Sequence, residues 1–127
     1  IWGLIEDIYG PPGNAFKNIF VLNHFPLWMF NSAGQNITPD KLKKSSAEEI
    51  FRTCNKYLSD IINLLNAEKI IGVGKYANKM AQNAIRENNL EGITVEEIPH
   101  PSPANPLANK DKGAVWKKIS KRVIIGK

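Results

Sequence analysis

The chain has 127 residues, of which 43% are hydrophobic and 23% charged, enough for one domain with a substantial core and too few for two. No apolar run approaches the roughly 20 residues that a transmembrane helix needs. A single cysteine, Cys54, excludes an internal disulfide and a cysteine metal cluster, and its place on an apolar helix face predicts a buried thiol.

Positive charge is in excess and clustered, with a net charge of +5. One cluster consists of Lys41, Lys43 and Lys44. The other lies in residues 110–127, where Asp111 is the only acidic residue. Such clusters favour a polyanionic partner, nucleic acid before a membrane surface. A solvated helix face also carries charge, so charge alone does not separate these interpretations.

Hydrophobic periodicity and turn residues predict the elements of the first half of the chain. They are a helix over residues 2–9, a turn over 10–14, a buried strand over 17–22 and a polar loop over 31–40. The next helix is the clearest, because Ser45 or Ser46 is a suitable N-cap with a glutamate three residues later. Its apolar stripe begins at Ala47 and continues to Leu65.

Strands and helices alternate in the second half. The predicted elements are a buried strand over 69–73, a helix over 77–88 closed by residues 89–92, a strand over 93–98, a proline-rich loop over 100–109 and a helix over 112–124. This order predicts an α/β fold with a parallel sheet and helices on both of its faces.

The proline-rich loop begins with His100 and contains three prolines, which fix φ and remove N–H donors, so we expect a stiff, extended segment. It follows a predicted strand, at the end where open α/β sheets place ligand sites. Stiffness suits a wedge pressed against a partner, because little entropy remains to be lost on binding. A proline-rich connector with an exposed histidine is an equally simple interpretation.

Two further motifs have more than one interpretation. The run from Gly72 to Ala77 matches a dinucleotide-binding fingerprint, although two glycines would also let a helix start close to its strand. Asn23 follows the strand predicted over 17–22, and its amide could pair with an imide-like edge such as that of uracil or could cap the loop locally. His24 adds a second histidine, but two histidines without a third ligand are not a metal site.

Four segments together resemble the single-strand-selective monofunctional branch of the uracil-DNA glycosylase superfamily. They are Asn23-His24-Phe25-Pro26-Leu27, residues 31–39 (NSAGQNITP), Gly72-Val73-Gly74 and His100-Pro101-Ser102-Pro103, in this order, with Pro106-Leu107-Ala108-Asn109-Lys110 as a further match. The resemblance extends through nearly the whole chain. It implies a three-layer α/β fold with a mostly parallel central sheet, and one glycosylase-like domain over residues 1–127.

Two departures from the family pattern matter. The water-activating segment of the family, a Gly-Met-Asn-Pro-Gly-Pro type of loop, has no counterpart, and neither has the aromatic residue that stacks on uracil. We therefore expect a C-terminal portion that lacks its N-terminal strand and has little activity alone. Relatives often carry arginine where this chain has Ala104, so we expect weaker filling of a vacated base position and a greater preference for single strands.

The resemblance implies a role for each matching position. His100 would stabilise the negative charge that develops on uracil O2, and Asn23 would read O4 and N3–H of the base. The DNA-facing residues would be Ala33, Gly34, Gln35, Asn36, Thr38, Lys41, Lys43 and Lys44 in one segment, and Pro101, Ser102, Pro103, Ala104, Asn105, Pro106 and Asn109 in the proline-rich loop.

The implied function is base-excision repair, by hydrolysis of the N-glycosidic bond of uracil and oxidised uracil derivatives in single- and double-stranded DNA. No metal or organic cofactor is implied. The expected partner is DNA containing uracil or modified uracil rather than a membrane, and the expected form is a monomer in the nucleus of a eukaryotic cell. The alternatives are a catalytically incomplete nucleic-acid-binding domain and a fragment of a dinucleotide-binding enzyme.

Overall fold

Helices dominate residues 1–126, the part of the chain that this computed structural model describes; the side chains of Asp40, Lys44 and Ser46 lie outside that description. The helices are α1 (Trp2–Tyr9), α2 (Pro12–Ala15), α3 (Lys44–Leu65), α4 (Lys75–Glu87), α5 (Pro106–Asn109) and α6 (Ala114–Ile125). The strands are β1 (Met29–Phe30), β2 (Asn36–Ile37), β3 (Lys69–Val73) and β4 (Thr94–Ile98), and 3-10 turns cover Pro39–Lys41 and Lys110–Gly113.

Two small sheets connect these strands. β1 and β2 form an antiparallel hairpin, with Met29 opposite Ile37. β3 and β4 pair in parallel, as shown by the hydrogen bonds from Thr94 N–H to the Glu68 carbonyl (2.9 Å) and from Gly74 N–H to the Ile98 carbonyl (2.8 Å). The α/β class is thus confirmed at the level of a small parallel sheet with several helices. Three layers and a single domain stay predictions.

The strand predicted over 17–22 is wrong. Residues 19–22 are irregular, and Phe20 and Val21 are 59% and 42% exposed. An extended, β-branched run becomes a strand only beside another strand that pairs with its backbone, and within residues 1–126 the strands pair as β1 with β2 and β3 with β4. The turn predicted over 10–14 contains α2, because proline fits the first position of a helix.

The start of α3 also differs from the prediction. Neither Ser45 nor Ser46 is the N-cap; Lys43 is, with an extended backbone and no side-chain capping bond. A cap must be the last extended residue before the helix, and both serines follow that point. The predicted stripe is confirmed where Cys54, Leu58 and Ile62 are buried, whereas Leu65, in the last turn, is exposed.

The chain divides into two units. The first comprises residues 1–22, 71–78 and 96–127, and its core is formed by Leu4, Ile98 and Trp116 with apolar side chains such as Val73 packed around them. The second comprises residues 23–70 and 79–95. Its buried residues come from the segment after Asn23, from α3 and from α4. None of the helices described is long and apolar enough to cross a membrane.

The two glycines between β3 and α4 have separate structural tasks. A Cβ on Gly72 would lie 2.4 Å from the backbone nitrogen of Asn78, in the first turn of α4, so only glycine allows that turn to lie so close. Gly74 has φ +86°, and a Cβ there would lie 3.1 Å from the Cβ of His100. Close packing thus accounts for both glycines of the fingerprint, and the neighbour that Gly74 accommodates is His100.

Replacing Gly72 with alanine should therefore destabilise the protein by about 1–3 kcal/mol or more, the range for overpacking, because a helix backbone cannot rotate away as a side chain can. Urea denaturation measures this change. Gly3→Ala is the matched control: nothing lies within 4 Å of its added methyl, and an exposed alanine in a helix should be neutral or slightly stabilising. Equal stabilities of the two variants would contradict this account.

Candidate nucleic-acid interface

The finger, which we define as residues 99–109, is held by its own side chains. Trp116 Nε1 donates to the carbonyl of Pro99 at 2.6 Å, and Asn105 Nδ2 donates to the carbonyl of His100 at 2.8 Å. The amide of Asn109 donates to the carbonyl of Pro103. Because these carbonyls have partners within the unit, the finger keeps its shape without a regular strand or helix over residues 99–105.

The prediction of an extended loop to Asn109 is wrong for its last four residues, which form the helical turn α5. Asn105 is the N-cap of this turn, and its Oδ1 accepts a hydrogen bond from Leu107 N–H at 3.1 Å. Pro106 takes the first helical position, where its missing N–H costs nothing. The sequence Asn-Pro is thus a capping signal here rather than a continuation of the extended loop.

His100 has a defined orientation at the base of the finger. Its Nδ1 accepts a hydrogen bond from the backbone N–H of Ser102 at 3.1 Å, and its Cβ and ring lie against Gly74. An acceptor at Nδ1 places the proton of the neutral ring on Nε2. The exposed side chain therefore offers Nε2–H as a hydrogen-bond donor.

The predicted DNA-facing residues of the finger differ in exposure. Pro103, Ala104, Pro106 and Asn109 are exposed, whereas Pro101, Ser102 and Asn105 are half-buried. Ser102 and Asn105 also brace the finger internally: Ser102 Oγ accepts from Ala104 N–H at 3.2 Å. The surface that the finger offers thus includes two proline rings and Ala104, together with the exposed side chains of His100, Leu107 and Asn109.

Asn23 is exposed, and within residues 1–126 its side chain makes no hydrogen bond. The interpretation of Asn23 as a local cap is therefore not supported. The next residue, His24, is buried and donates from Nε2 to Asn55 Oδ1 at 2.8 Å, while Asn55 Nδ2 donates to Glu87 Oε2 at 2.7 Å. This chain of bonds anchors the backbone that carries Asn23 to α3 and α4.

The second predicted DNA-facing segment is a hairpin with a well-ordered turn. Asn31 Oδ1 accepts hydrogen bonds from the N–H groups of Ala33 (3.0 Å) and Gln35 (2.9 Å), and Gly34 has φ +75°. The exposed residues of this segment are Ala33, Gly34, Gln35, Asn36, Thr38, Lys41 and Lys43. The side chain of Lys44, also predicted to face DNA, lies outside the described residues.

Sequence reasoning missed an exposed aromatic pair on this hairpin. Trp28 is 79% exposed and Phe30 is 53% exposed, with ring centroids 5.2 Å apart. The alternation of Trp28 and Phe30 immediately before a polar turn is the signal that could have indicated one exposed face of a hairpin.

An ion pair changes the expectation for the C-terminal cluster of positive charge. Lys117 forms an ion pair with Asp7 at 2.6 Å, so Asp111 is not the only acidic residue that opposes the C-terminal cluster. Lys127, part of that cluster, lies outside the described residues.

Cys54 is buried, which confirms the prediction of a buried thiol, and burial raises the pKa of this thiol. Among the side chains that the structure describes, which do not include Asp40, no three from His, Cys, Asp or Glu group as metal ligands.

Comparison with known proteins gives a consistent result. The chain is 35% identical over 116 residues to the single-strand selective monofunctional uracil DNA glycosylase of Bos taurus, which covers 91% of this chain. The corresponding glycosylases of Rattus norvegicus and Mus musculus are 34% and 33% identical and each cover 86% of the chain. The chain is a relative of the single-strand-selective monofunctional uracil-DNA glycosylases.

The chain spans 39–42% of the length of these glycosylases. No protein-family profile matches it. The resemblance inferred from the four sequence segments is confirmed, and the roles of His100 and Asn23 in a uracil-DNA glycosylase stay predictions. His100 belongs to the first unit and Asn23 to the second.

His24 should make the stability of the protein depend on pH. Desolvation by burial lowers the pKa of His24 below its usual 6.5, although the hydrogen bond to Asn55 and the charge of Glu87 oppose this shift. The unfolded state therefore binds more protons, and the free energy of unfolding should fall as pH drops from about 6.5 towards the folded-state pKa. Above about pH 6.5, His24 should cause no such loss in the free energy of unfolding.

Urea denaturation between pH 7.5 and 5 would measure this loss in the wild type and in His24→Gln. The variant cannot titrate at this position, so its stability should fall less over the same range. A fall of the same size in both proteins would show that His24 is not the group responsible.

Proposed function

We propose that the protein is a uracil-DNA glycosylase, which hydrolyses the N-glycosidic bond of uracil and of oxidised uracil derivatives in single- and double-stranded DNA. The observation that carries this proposal is the identity of 33–35% with three such glycosylases over 86–91% of the chain. The reaction breaks the bond between N1 of uracil and C1′ of deoxyribose, and a water molecule supplies hydroxide to C1′. The products are free uracil and an abasic site.

We assign to His100 the stabilisation of the uracil base as it leaves. As the bond breaks, its electron pair leaves with uracil and negative charge develops on O2. The Nε2–H of a neutral imidazole can donate to this oxygen without transferring its proton, and a fixed donor is worth most where water is excluded. Support comes from the bond between Ser102 N–H and Nδ1, which keeps the proton on Nε2.

Asn23 is the group that we assign to base recognition. Its Oδ1 would accept from N3–H of uracil and its Nδ2 would donate to O4. Cytosine presents an acceptor at N3 and a donor at N4, so an amide held in this same orientation would oppose both groups. The exposure of Asn23 and the anchoring of His24 beside it support this assignment.

The finger and the hairpin segment would hold the DNA. A base in a duplex must be flipped out before its glycosidic bond can be reached, and a stiff finger can support the strand from which it has left. Lys41, Lys43 and Lys44 would contact phosphates. We further propose that the protein acts as a monomer in the nucleus, without a metal or organic cofactor.

Replacing His100 with asparagine tests the catalytic assignment. The Oδ1 of asparagine can still accept from Ser102 N–H, but its Nδ2 does not reach the position of Nε2. Single-turnover excision of uracil from a single-stranded oligonucleotide by the full-length protein should fall about 10²–10³-fold, as it does when one oxyanion donor is removed. Affinity for the uncleaved oligonucleotide should stay nearly unchanged.

Two outcomes would contradict the proposal. A large loss of DNA affinity with unchanged excision would assign His100 to binding instead. A full-length wild-type protein that binds DNA but releases no uracil would favour the catalytically incomplete nucleic-acid-binding domain, an alternative suggested by the partial coverage of the related glycosylases.

Replacing Asn23 with aspartate tests base recognition. A carboxylate offers no donor to O4 of uracil, so uracil excision should fall about tenfold or more, the effect of one lost hydrogen bond to a buried partner. The ratio of uracil to cytosine excision should fall with it. Asn18→Asp is the matched control, because it introduces the same charge at another exposed asparagine. Unchanged selectivity in Asn23→Asp would remove Asn23 from the recognition site.

A further inference from the structure

The pair Trp28 and Phe30, which we call the aromatic pair, lies on one face of the β1–β2 hairpin. Residues two apart on a strand share a face, and the two rings are tilted by 37° with centroids 5.2 Å apart. Trp28 is 79% exposed, so most of the indole surface faces solvent. The two rings together form a continuous exposed aromatic surface on the hairpin, which makes this face a candidate binding surface.

The indole is fixed before any ligand arrives. Trp28 Nε1, in the residue immediately before β1, donates to Oδ1 of Asn36 in β2 at 3.0 Å. The turn between the strands is braced by Asn31, whose backbone N–H donates to the Gln35 carbonyl at 2.9 Å. A ring that is already oriented loses little conformational entropy when a planar partner stacks on it.

The positive charge of the surrounding segment indicates that the stacking partner is negatively charged. Residues 23–44 contain three lysines, at positions 41, 43 and 44, and one acidic residue, Asp40. Lys41 and Lys43 are exposed and follow β2 by four and six residues. Exposed aromatic rings and lysines in one short segment are the combination that binds single-stranded nucleic acids, because every base has a face that can stack and every nucleotide carries a phosphate.

We propose that the aromatic pair is a stacking platform for an unpaired base of single-stranded DNA, with the neighbouring lysines on its phosphates. The proposal rests on the proposed function for DNA as the ligand. It assigns to the hairpin a contact separate from the excised uracil. A base in a duplex keeps both of its faces covered by neighbouring bases, so the platform favours single strands.

Binding of two single-stranded oligonucleotides to the full-length protein separates stacking from charge. One is a thymidine 12-mer, and the other has the same phosphates but abasic residues throughout. Trp28→Ala should weaken binding of the thymidine oligonucleotide about tenfold, within the range for one stacked base, and leave binding of the abasic oligonucleotide within about twofold. Trp28→Phe keeps an aromatic face and should recover most of the loss.

Trp2→Ala is the matched control, because Trp2 is also exposed and pairs with Phe16 but belongs to the first unit. It should leave both affinities unchanged. An equal loss on both oligonucleotides, or no loss on either, would overturn the platform. A large drop in thermal stability or a changed oligomeric state in Trp28→Ala, without a base-dependent loss, would instead show that protein covers the pair and would also overturn it.

Uracil excision by the same preparations keeps the two proposals apart. Excision by the wild type with no base-dependent effect of Trp28→Ala would reject the platform and leave the glycosylase proposal in place. If the wild type excises no uracil but Trp28→Ala still weakens binding of the thymidine oligonucleotide alone, the glycosylase proposal is rejected and the platform is retained.

Discussion

The chemistry proposed for this protein depends on one hydrogen bond, from the backbone N–H of Ser102 to Nδ1 of His100. Histidine can donate from either ring nitrogen, and only an acceptor role at Nδ1 makes Nε2 the donor. The bond is short-range, but it requires the chain to turn immediately after His100, and Pro101 makes that turn stiff. Gly74 completes the arrangement, since a side chain there would press on the Cβ of His100. Gly74, between β3 and α4, thus helps to orient His100, which follows β4.

Asn23 is held differently, through its neighbour in sequence. The side chain of His24 is tied to α3 and α4 by two hydrogen bonds through Asn55, and breaking either bond would leave a polar group of the buried Asn55 without that partner. Asn23 itself has no such bond, so its amide stays available. An anchoring residue next in sequence to the proposed recognition residue holds the backbone of the second without using its hydrogen-bonding groups.

The local sequence pattern predicted those helices and strands whose bounds are set by neighbouring residues. The bounds of β3 were predicted correctly, and β4 and α4 to within two residues, because β-branched runs and a helical stripe in residues 69–98 are read over a few neighbours. Residues 17–22 have an equally strand-like composition, yet a strand also needs a partner, which composition does not specify. The bonds of Asn55 join residues 31 and 32 positions away, and no local pattern in the sequence indicates them. Local pattern likewise picked out His100 and Asn23 as residues that follow predicted strands, but it left their interpretation open, and only the resemblance implied their roles.

The side chains of the finger bear on which DNA such a protein can use. Withdrawing a base from a duplex leaves a gap beside a stacked, paired neighbour, and a long side chain can fill that gap and delay the return of the base. Ala104 is too short to reach so far, and the neighbouring Pro103 offers a rigid ring rather than a long side chain. An unpaired strand opens no such gap, because its bases leave the stack at lower cost. A short, stiff finger would therefore support the proposed use of substrates that are already single-stranded.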